Sequence, residues 1–242
     1  MHPHVQELIS KEYDAQRSEA WLKLRGNMLT ASDAATAIGD NPYEKPEDLI
    51  LKKCGHGTFN GNFATQHGNK YEDEARDIYC AKYNEVAHEI GLHPHPKYNW
   101  LGGSPDGITE SGKLIEIKCP LKREIKPEVP VYYMPQLQLL MEILDLEEAV
   151  FIQYKPSEIT WPKPEEFVLV EVKRDRQWFQ DKLPIMENLW KRVLHHREYG
   201  VEELLKTKKT RKPYQKKNEV TVEICVIKDY DEDIYPNVLS DE

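Results

Sequence analysis

Apolar side chains recur at helical spacing in three parts of this chain. In the first part, five apolar residues lie mostly three or four positions apart: Tyr71, Ala75, Ile78, Tyr79 and Tyr83. This spacing predicts an amphipathic helix of about four to five turns. A second helix opens within 132–138 and carries four apolar residues inward: Leu137, Leu140, Met141 and Leu144. A third is predicted from about Asp175 to Tyr199.

Other segments have the alternation of strands. Ile115 and Ile117 alternate with Glu116 and Lys118, so a strand here presents isoleucines on one face and charges on the other. Asp106 belongs to an Asp-Gly turn signal just before this strand, and the pair predicts a β-hairpin. Two more strands are predicted over 149–154 and 167–172.

A short helix is predicted to start at Ser32, as its N-cap, and to run through Ala34 and Ile38. Unpaired N–H groups at such a helix start, with the Ser32 hydroxyl and the nearby Arg25, would form a phosphate site. By itself, the segment is more typical of a plain capped helix beside a surface arginine.

Composition bounds the class of protein. The chain has 242 residues, enough for one large domain, and no apolar run of about eighteen residues that would predict a membrane span. Its start lacks a signal-peptide pattern, so an intracellular location, cytoplasmic or in a host nucleus, is expected rather than secretion. Four scattered cysteines without a Cys-x-x-Cys pair disfavour zinc and iron–sulfur sites. His93-Pro94-His95-Pro96 is predicted to be a rigid loop rather than a metal site.

Two carboxylates and one ammonium are expected to meet at one sheet end, from Asp106, Glu116 and Lys118. Carboxylate oxygens suit Mg²⁺ or Mn²⁺, and a lysine there can orient or activate an attacking water. Alone, a Glu-x-Lys strand is usually a solvated face with a weak ion pair. Ser-Pro-Asp-Gly at hairpin distance makes the pattern more specific, because two motifs then agree. Together they resemble the motif of PD-(D/E)XK nucleases.

Five motifs in chain order resemble those of the lambda-type exonucleases, also called the YqaJ or alkaline exonuclease family. They occupy residues 21–25 with 30–32, 68–72, 104–107, 116–120 and 133–138. The resemblance runs from about residue 21 to 200, and five ordered motifs are far more specific than any single one. It implies an α/β fold of the PD-(D/E)XK restriction-endonuclease-like type, with a central mixed β-sheet flanked by helices.

The resemblance also implies roles for individual residues. Asp106 and Glu116 would bind metal, joined by the carbonyl of Ile117, and Glu72 would complete the acidic set. Two Mg²⁺ or Mn²⁺ ions are expected in each active site. Lys118 would serve the nucleophilic water.

Two further groups of residues take roles from the same resemblance. Gln136 would assist near the water, although the sequence leaves Gln138 as an alternative. Arg25 and Ser32 would receive the 5′-phosphate of DNA.

The implied activity is 5′→3′ exonuclease digestion of one strand of linear double-stranded DNA to mononucleotides, leaving a 3′ single-stranded tail for recombination or repair. A ring-shaped homotrimer around the DNA and a single-strand annealing protein as partner are implied as well. Two alternatives stay open: a structure-specific or nicking endonuclease on the same core, and a non-catalytic nucleic-acid-binding module.

The formal charge of −9 is unusual for a DNA-binding protein, but net charge is a poor guide when the relevant potential is local. Basic residues need only line the channel. Seven candidates are available for this: Lys52, Lys53, Lys70, Arg76, Lys118, Lys122 and Arg123.

Residues 1–200 are predicted to form the exonuclease domain, and 201–242 a basic, then acidic, extension. Seven of the twelve residues in 206–217 are basic, which is consistent with a DNA-contacting arm, a nuclear import signal or a solvated linker. Alternating apolar residues over 220–226 predict a short strand.

Overall fold

Two β-sheets form the centre of the protein in the computed structural model, which describes residues 1–11, 18–57 and 63–209. Along the chain the strands are β1 (Leu29–Thr30), β2 (Ala87–His88), β3 (His93–Pro94), β4 (Leu101–Gly103), β5 (Gly107–Thr109), β6 (Lys113–Lys118), β7 (Glu148–Lys155) and β8 (Glu166–Lys173). The larger sheet has the order β2-β5-β6-β7-β8, and the smaller one β1-β4-β3. The predicted strands over 149–154 and 167–172 are confirmed as β7 and β8.

Helices cover the sheets. They are α1 (Pro3–Ser10), α2 (Glu19–Gly26), α3 (Ala34–Ile38), α4 (Pro46–Lys53), α5 (Phe63–Tyr83), α6 (Met134–Leu144), α7 (Ser157–Thr160), α8 (Arg176–Tyr199) and α9 (Glu202–Lys209). The three helices with strong apolar periodicity are confirmed as α5, α6 and α8. Within the described ranges, none has the length and apolar character to cross a membrane.

Helix α5 differs from its prediction in length and in one face residue. It has 21 residues, more than the predicted four to five turns. Tyr71, Ala75 and Tyr79 are buried as expected, but Tyr83 is 45% exposed. Tyr83 is the last residue of α5, and its ring contacts that of Tyr79, with centroids 5.1 Å apart.

The larger sheet is mixed, as predicted. Strands β5 and β6 form the antiparallel hairpin, and β6 then pairs with β7 in parallel, with Glu116 opposite Phe151 and Lys118 opposite Gln153. A parallel pair needs a crossover connection, and α6 supplies it. Strand β8 returns antiparallel to β7. The chain that leaves the carboxyl end of β6 therefore passes through α6 before it returns to the sheet as β7.

The alternation along β6 divides the core in two. Ile115 and Ile117 belong to the apolar cluster that contains Tyr71 and Ala75 of α5. Leu114 belongs to the larger cluster, which is built around α6 and α8. Glu116 and Lys118 share the face of Leu114 and point toward α6, as the period of two requires.

Two local predictions are wrong. Ser32 is not an N-cap. Thr30 is the N-cap of a 3-10 turn, Ala31–Asp33, where its side chain and that of Asp33 form a capping box, and Asp33 is the N-cap of α3. This turn then continues into α3. In the His-Pro-His-Pro segment, His93 and Pro94 form strand β3 against β4 instead of a loop. Proline is tolerated there because β3 lies at a sheet edge.

Helix α2 is attached to the domain through its carboxyl end. None of its residues is buried, so apolar packing contributes little to its position. Lys53 donates from Nζ to the Arg25 carbonyl (3.1 Å), and Arg197 donates to the Gly26 carbonyl (2.6 Å). Cations that bond the last carbonyls of a helix satisfy acceptors that would otherwise lack partners. They therefore hold α2 against α4 and α8.

A buried ion pair supports this attachment. The Lys53 ammonium lies 2.7 Å from the Asp33 carboxylate, and both side chains are more than nine-tenths buried. Burial acts to raise the pKa of Asp33, but the Lys53 charge and the Thr30 hydrogen bonds outweigh it, so the pKa is lowered. Burial lowers the pKa of Lys53. The pair thus ties the 3-10 turn to the end of α4.

The chain continues to pack beyond residue 200. Val201 is buried, and Leu204 of α9 packs against the larger core cluster. The boundary at residue 200 stays a prediction. The predicted strand over 220–226 and the basic residues beyond Lys209 lie outside the described residues.

We expect Lys53→Met to lower the free energy of unfolding by about 3–5 kcal/mol at pH 7, because it leaves the Asp33 carboxylate buried and unpaired. In the native protein, ionised Asp33 contributes stability above its unfolded pKa of about 3.9, and this is lost as pH falls through the lowered folded pKa. The difference between variant and native protein should therefore shrink below about pH 4. Urea unfolding of both proteins at pH 7 and below about pH 4 measures this difference.

The double variant Lys53→Met/Asp33→Asn is the matched control, because it removes both charges. At pH 7, the double variant should regain most of the free energy of unfolding that the single variant loses. A single variant as stable as the double one would contradict the role of the pair.

Candidate active site

A cavity of about 1810 Å³ opens beside the carboxyl end of β6. The eight site residues that the sequence indicates all line it: Arg25, Ser32, Glu72, Asp106, Glu116, Ile117, Lys118 and Gln136. They come from α2, the 3-10 turn, α5, the hairpin and α6. The fold thus brings together side chains that lie more than 100 positions apart in the sequence.

Glu116 is the most buried of the polar groups in the cavity, with 1% of its surface exposed. Its Oε1 contacts the Lys118 ammonium and accepts a hydrogen bond from the Gln136 amide at 2.6 Å. Its Oε2 is buried and has no hydrogen-bond partner among the described residues. Such an oxygen is costly to bury unless a proton, a water or a cation meets it.

The structure places Gln136, not Gln138, in the cavity. Gln138 is buried and faces away: it donates to the Lys173 carbonyl (2.9 Å) and accepts from the Asp175 N–H (2.7 Å). These bonds fix the start of α8 against α6. Side chains two positions apart on a helix point in different directions, which explains why only one glutamine reaches Glu116.

Asp106 is held at the entrance of the hairpin by backbone contacts on two sides. Its Oδ2 accepts a hydrogen bond from the Ile117 N–H at 2.7 Å. Its own carbonyl accepts one from Arg76 of α5 at 2.9 Å. The Asp106 carboxylate is therefore fixed across the hairpin from Glu116 and Lys118.

The electrostatics of this group favour added positive charge. Burial raises the pKa of Glu116, and the neighbouring Asp106 raises it further, while Lys118 opposes both. Burial acts to lower the pKa of Lys118, but the charges of Glu116 and Asp106 outweigh it and raise this pKa too. Both shifts favour the protonated form, chiefly through burial at Glu116 and through the two neighbouring carboxylates at Lys118. A divalent cation beside the two carboxylates would compensate their negative charge.

Carboxylates alone do not form a dense metal cluster. Among residues 1–11, 18–57 and 63–209, no three His, Cys, Asp or Glu side chains are grouped closely enough to hold a metal by themselves. Mg²⁺ commonly binds through one or two carboxylates and keeps several waters. A metal set of this kind would need oxygens other than carboxylates, such as the Ile117 carbonyl.

A second polar group lies in the same cavity. Arg25 donates from Nη2 to the Ser32 hydroxyl at 2.8 Å, and its guanidinium lies 4.5 Å from the centroid of the Trp21 ring. The Thr30 and Ser32 hydroxyls are 3.0 Å apart. Burial lowers the pKa of Arg25, and Asp33 opposes this shift. Thr30 is buried and donates its hydroxyl to Asp33, so the groups that face the cavity are the planar Arg25 cation and the Ser32 hydroxyl, which match the oxygens of a phosphate group.

Some of the basic residues that line the cavity were predicted from the sequence, and others were not. Of the seven basic candidates, Lys52, Lys53 and Lys118 line the cavity, and the other four lie outside its lining. Arg197 lines it as well, although it comes from α8 at the far end of the chain. The Thr30-x-x-Asp33 spacing was a usable sequence signal for the capping box. No local pattern indicates Arg197.

Solved structures resemble this fold. The alkaline exonuclease LHK-Exo from Laribacter hongkongensis matches with a TM-score of 0.62 and 25% identity, covering 79% of this chain and 98% of that one. The PD-(D/E)XK-like fold predicted from the sequence is thereby confirmed.

Sequence relatives are viral. An uncharacterized protein of Acanthamoeba polyphaga mimivirus is 34% identical over 162 residues, which are 59% of this chain and 30% of that protein. A protein of African swine fever virus is 30% identical over 162 residues, which are 54% of this chain and 46% of that protein. The chain thus matches less than half the length of these relatives.

A family model matches as well. The YqaJ-like viral recombinase domain aligns with residues 20–147, more than half of the chain. This range contains all five motifs in full, and with them every candidate site residue. The order of motifs, the fold and the family model agree, and this chain belongs to the YqaJ-like viral recombinase domain family.

Proposed function

We propose that this protein is a metal-dependent DNA nuclease that digests one strand of linear double-stranded DNA from its 5′ end. One observation carries the proposal: the Asp106, Glu116 and Lys118 group shares a cavity with the Arg25 and Ser32 group. The first group is suited to hydrolysis of a phosphodiester, and the second to holding a terminal phosphate. The family membership and the likeness to an alkaline exonuclease support it.

The residues present fit divalent metal ions. Asp106 and Glu116, with the Ile117 carbonyl and Glu72, would hold Mg²⁺ or Mn²⁺, two ions in each site. The buried Glu116 Oε2 without a hydrogen-bond partner among the described residues is the observation that supports this fit. Bound divalent ions supply Lewis acidity that stabilises developing charge on phosphate oxygens.

Lys118 and Gln136 both contact one oxygen of the Glu116 carboxylate, Oε1. Both bond Glu116 Oε1, which leaves Oε2 directed elsewhere. The Lys118 ammonium has three donors and uses one of them on this oxygen, so it can also orient the attacking water. Gln136 fixes the carboxylate plane and lies beside the same water. Preorganised contacts of this kind need little rearrangement during the reaction.

Arg25 and Ser32 select the DNA end. The Arg25 fork and the Ser32 hydroxyl receive the 5′-phosphate, while the Trp21 ring supports the guanidinium. A terminal phosphate carries more negative charge than an internal one, so this cation favours strand ends. The cut then releases mononucleotides and leaves a 3′ single-stranded tail for recombination or repair.

Assembly and partners are part of the same proposal. The family resemblance supports a homotrimeric ring that encloses the DNA, and work with a single-strand annealing protein inside an infected or host cell.

We expect the protein to digest linear duplex DNA and to leave covalently closed circular duplex intact, because a circle has no 5′ end. Incubation of end-labelled linear DNA and of a circle with Mg²⁺ or Mn²⁺ tests this. Labelled mononucleotides should appear only from the 5′-labelled strand. Cutting of the circle would favour a structure-specific or nicking endonuclease, and no hydrolysis of either would favour a non-catalytic binding module.

Asp106→Ala and Lys118→Ala should each abolish detectable cleavage, but only the first should weaken metal binding, because lysine acts on the water. Calorimetric titration with Mn²⁺ and cleavage assays separate the two effects. Lys113→Ala is the matched control, since Lys113 begins the same strand and pairs with Glu171 at the surface. Activity of either site variant within tenfold of the native protein would refute the assignment.

Arg25→Ala should lower the cleavage rate about ten- to a hundredfold on 5′-phosphorylated ends and much less on 5′-hydroxyl ends. One charged hydrogen bond of about 1.5–3 kcal/mol is lost only where a phosphate is present. Arg25→Lys keeps the charge without the planar fork, so an intermediate loss is expected. Equal losses on both kinds of end would contradict the phosphate role.

A further inference from the structure

An exposed aromatic ring stands at the edge of the cavity, outside both groups described above. Tyr43 lines the cavity and is 79% exposed, among the highest values for a large apolar side chain in the described residues. Its ring meets that of Tyr132 edge to face, with centroids 5.4 Å apart and planes at 86°. Most of the Tyr43 ring surface is therefore open to solvent.

The loop that carries Tyr43 is tied down by polar contacts. The Tyr43 N–H donates to the Asn41 side chain at 2.9 Å, and Asn41 donates in turn to the Thr36 hydroxyl at 2.8 Å. Thr36 donates to Glu44 at 3.0 Å. These bonds connect both sides of the loop to α3. The ring is thus held in place by its backbone, while most of its surface stays exposed.

A row of rings leads from Tyr43 to the reactive centre. Tyr132 and Tyr133 have centroids 4.5 Å apart, and the Lys118 ammonium lies 5.3 Å from the centroid of Tyr133. A ligand against Tyr43 would therefore lie on the way into the site that contains Lys118.

Positive charge accompanies this row. The Arg123 guanidinium is 5.9 Å from the Tyr133 centroid and is fixed by a 2.7 Å bond to Gln153. Arg123 lies outside the lining of the cavity, whereas Lys52 lines it, with its ammonium 3.8 Å from the Glu44 carboxylate. Stacking surfaces beside cations are the recurring means by which proteins bind single-stranded nucleic acid.

We propose that Tyr43, supported by Tyr132, is a stacking platform for an unpaired base of the DNA strand that enters the cavity. This inference rests on the proposed function. A paired base inside a duplex has both faces covered, so the platform would engage a nucleotide already separated from its partner. Every base has a π-face, so such a contact tolerates all sequences. That suits an enzyme that must accept any nucleotide in turn.

Binding of linear duplexes with one abasic nucleotide at each of the first four 5′ positions tests the platform. Affinities are measured by fluorescence anisotropy in EDTA, so that no strand is cut. For the native protein, one or two neighbouring abasic positions should weaken binding about five- to a hundredfold. Tyr43→Ala should weaken binding of intact DNA by a similar factor and show no further loss at those positions. Tyr43→Phe should behave as the native protein.

Tyr83→Ala is the matched control, because Tyr83 is exposed at the end of α5 and does not line the cavity. It should leave all affinities unchanged. Thermal unfolding checks that Tyr43→Ala stays folded, as expected for an exposed side chain. If Tyr43→Ala changes the oligomeric state and not the abasic profile, the ring serves a contact between protein copies and the platform is refuted.

The outcomes separate this inference from the proposed function. Cleavage of linear DNA by the native protein, with equal affinities of Tyr43→Ala and native protein for every duplex, would refute the platform and leave the nuclease standing. A Tyr43-dependent abasic profile without any cleavage in Mg²⁺ or Mn²⁺ would support the platform and refute the nuclease.

Discussion

The burial of the Glu116 carboxylate is the constraint on which the site depends. A charge taken out of water is costly unless close partners compensate it. Here Lys118 of β6 is one partner, and Gln136 of α6 is the other. Helix α6 connects β6 to its parallel neighbour, β7. The contacts of Glu116 therefore depend both on the alternation of side chains along β6 and on the position of the crossover helix α6. The Oε2 oxygen, which has no hydrogen-bond partner among the described residues, supports the expectation of a cation beside Glu116.

A second charged network positions the proposed phosphate site. Helix α2 carries Arg25 but has no fully buried residue, and it is held by Lys53 and Arg197 at its carboxyl end. Lys53 is itself anchored on buried Asp33. Local basic groups are thus organised around the cavity although the whole chain has a formal charge of −9. Net charge is a property of the surface as a whole, while a ligand responds to the nearby field.

Strong periodicity explains which parts of the fold could be predicted. Helices α5 and α8 pack an apolar face onto the core, α6 is buried on most sides, and β6 carries its isoleucines on one face and its charged residues on the other, so apolar spacing specifies these elements. Weaker signals were misassigned. Ser32 and Thr30 are both good caps, and the choice between them depends on Asp33, which is buried with Lys53 in the folded chain. Strand β3 has only two residues, too few for an alternating pattern.

The sequence by itself determined the order of the motifs, the identity of the charged residues and the face of β6 on which they lie, because these depend on neighbouring positions and on a fixed period of two. Only the tertiary structure decided that Gln136 and not Gln138 contacts Glu116. It also decided that Arg197 donates a hydrogen bond to the carboxyl end of α2, and that Tyr43 lines the cavity. These contacts join residues from different helices and loops. No local spacing encodes them, because they arise when separate apolar faces pack onto one sheet.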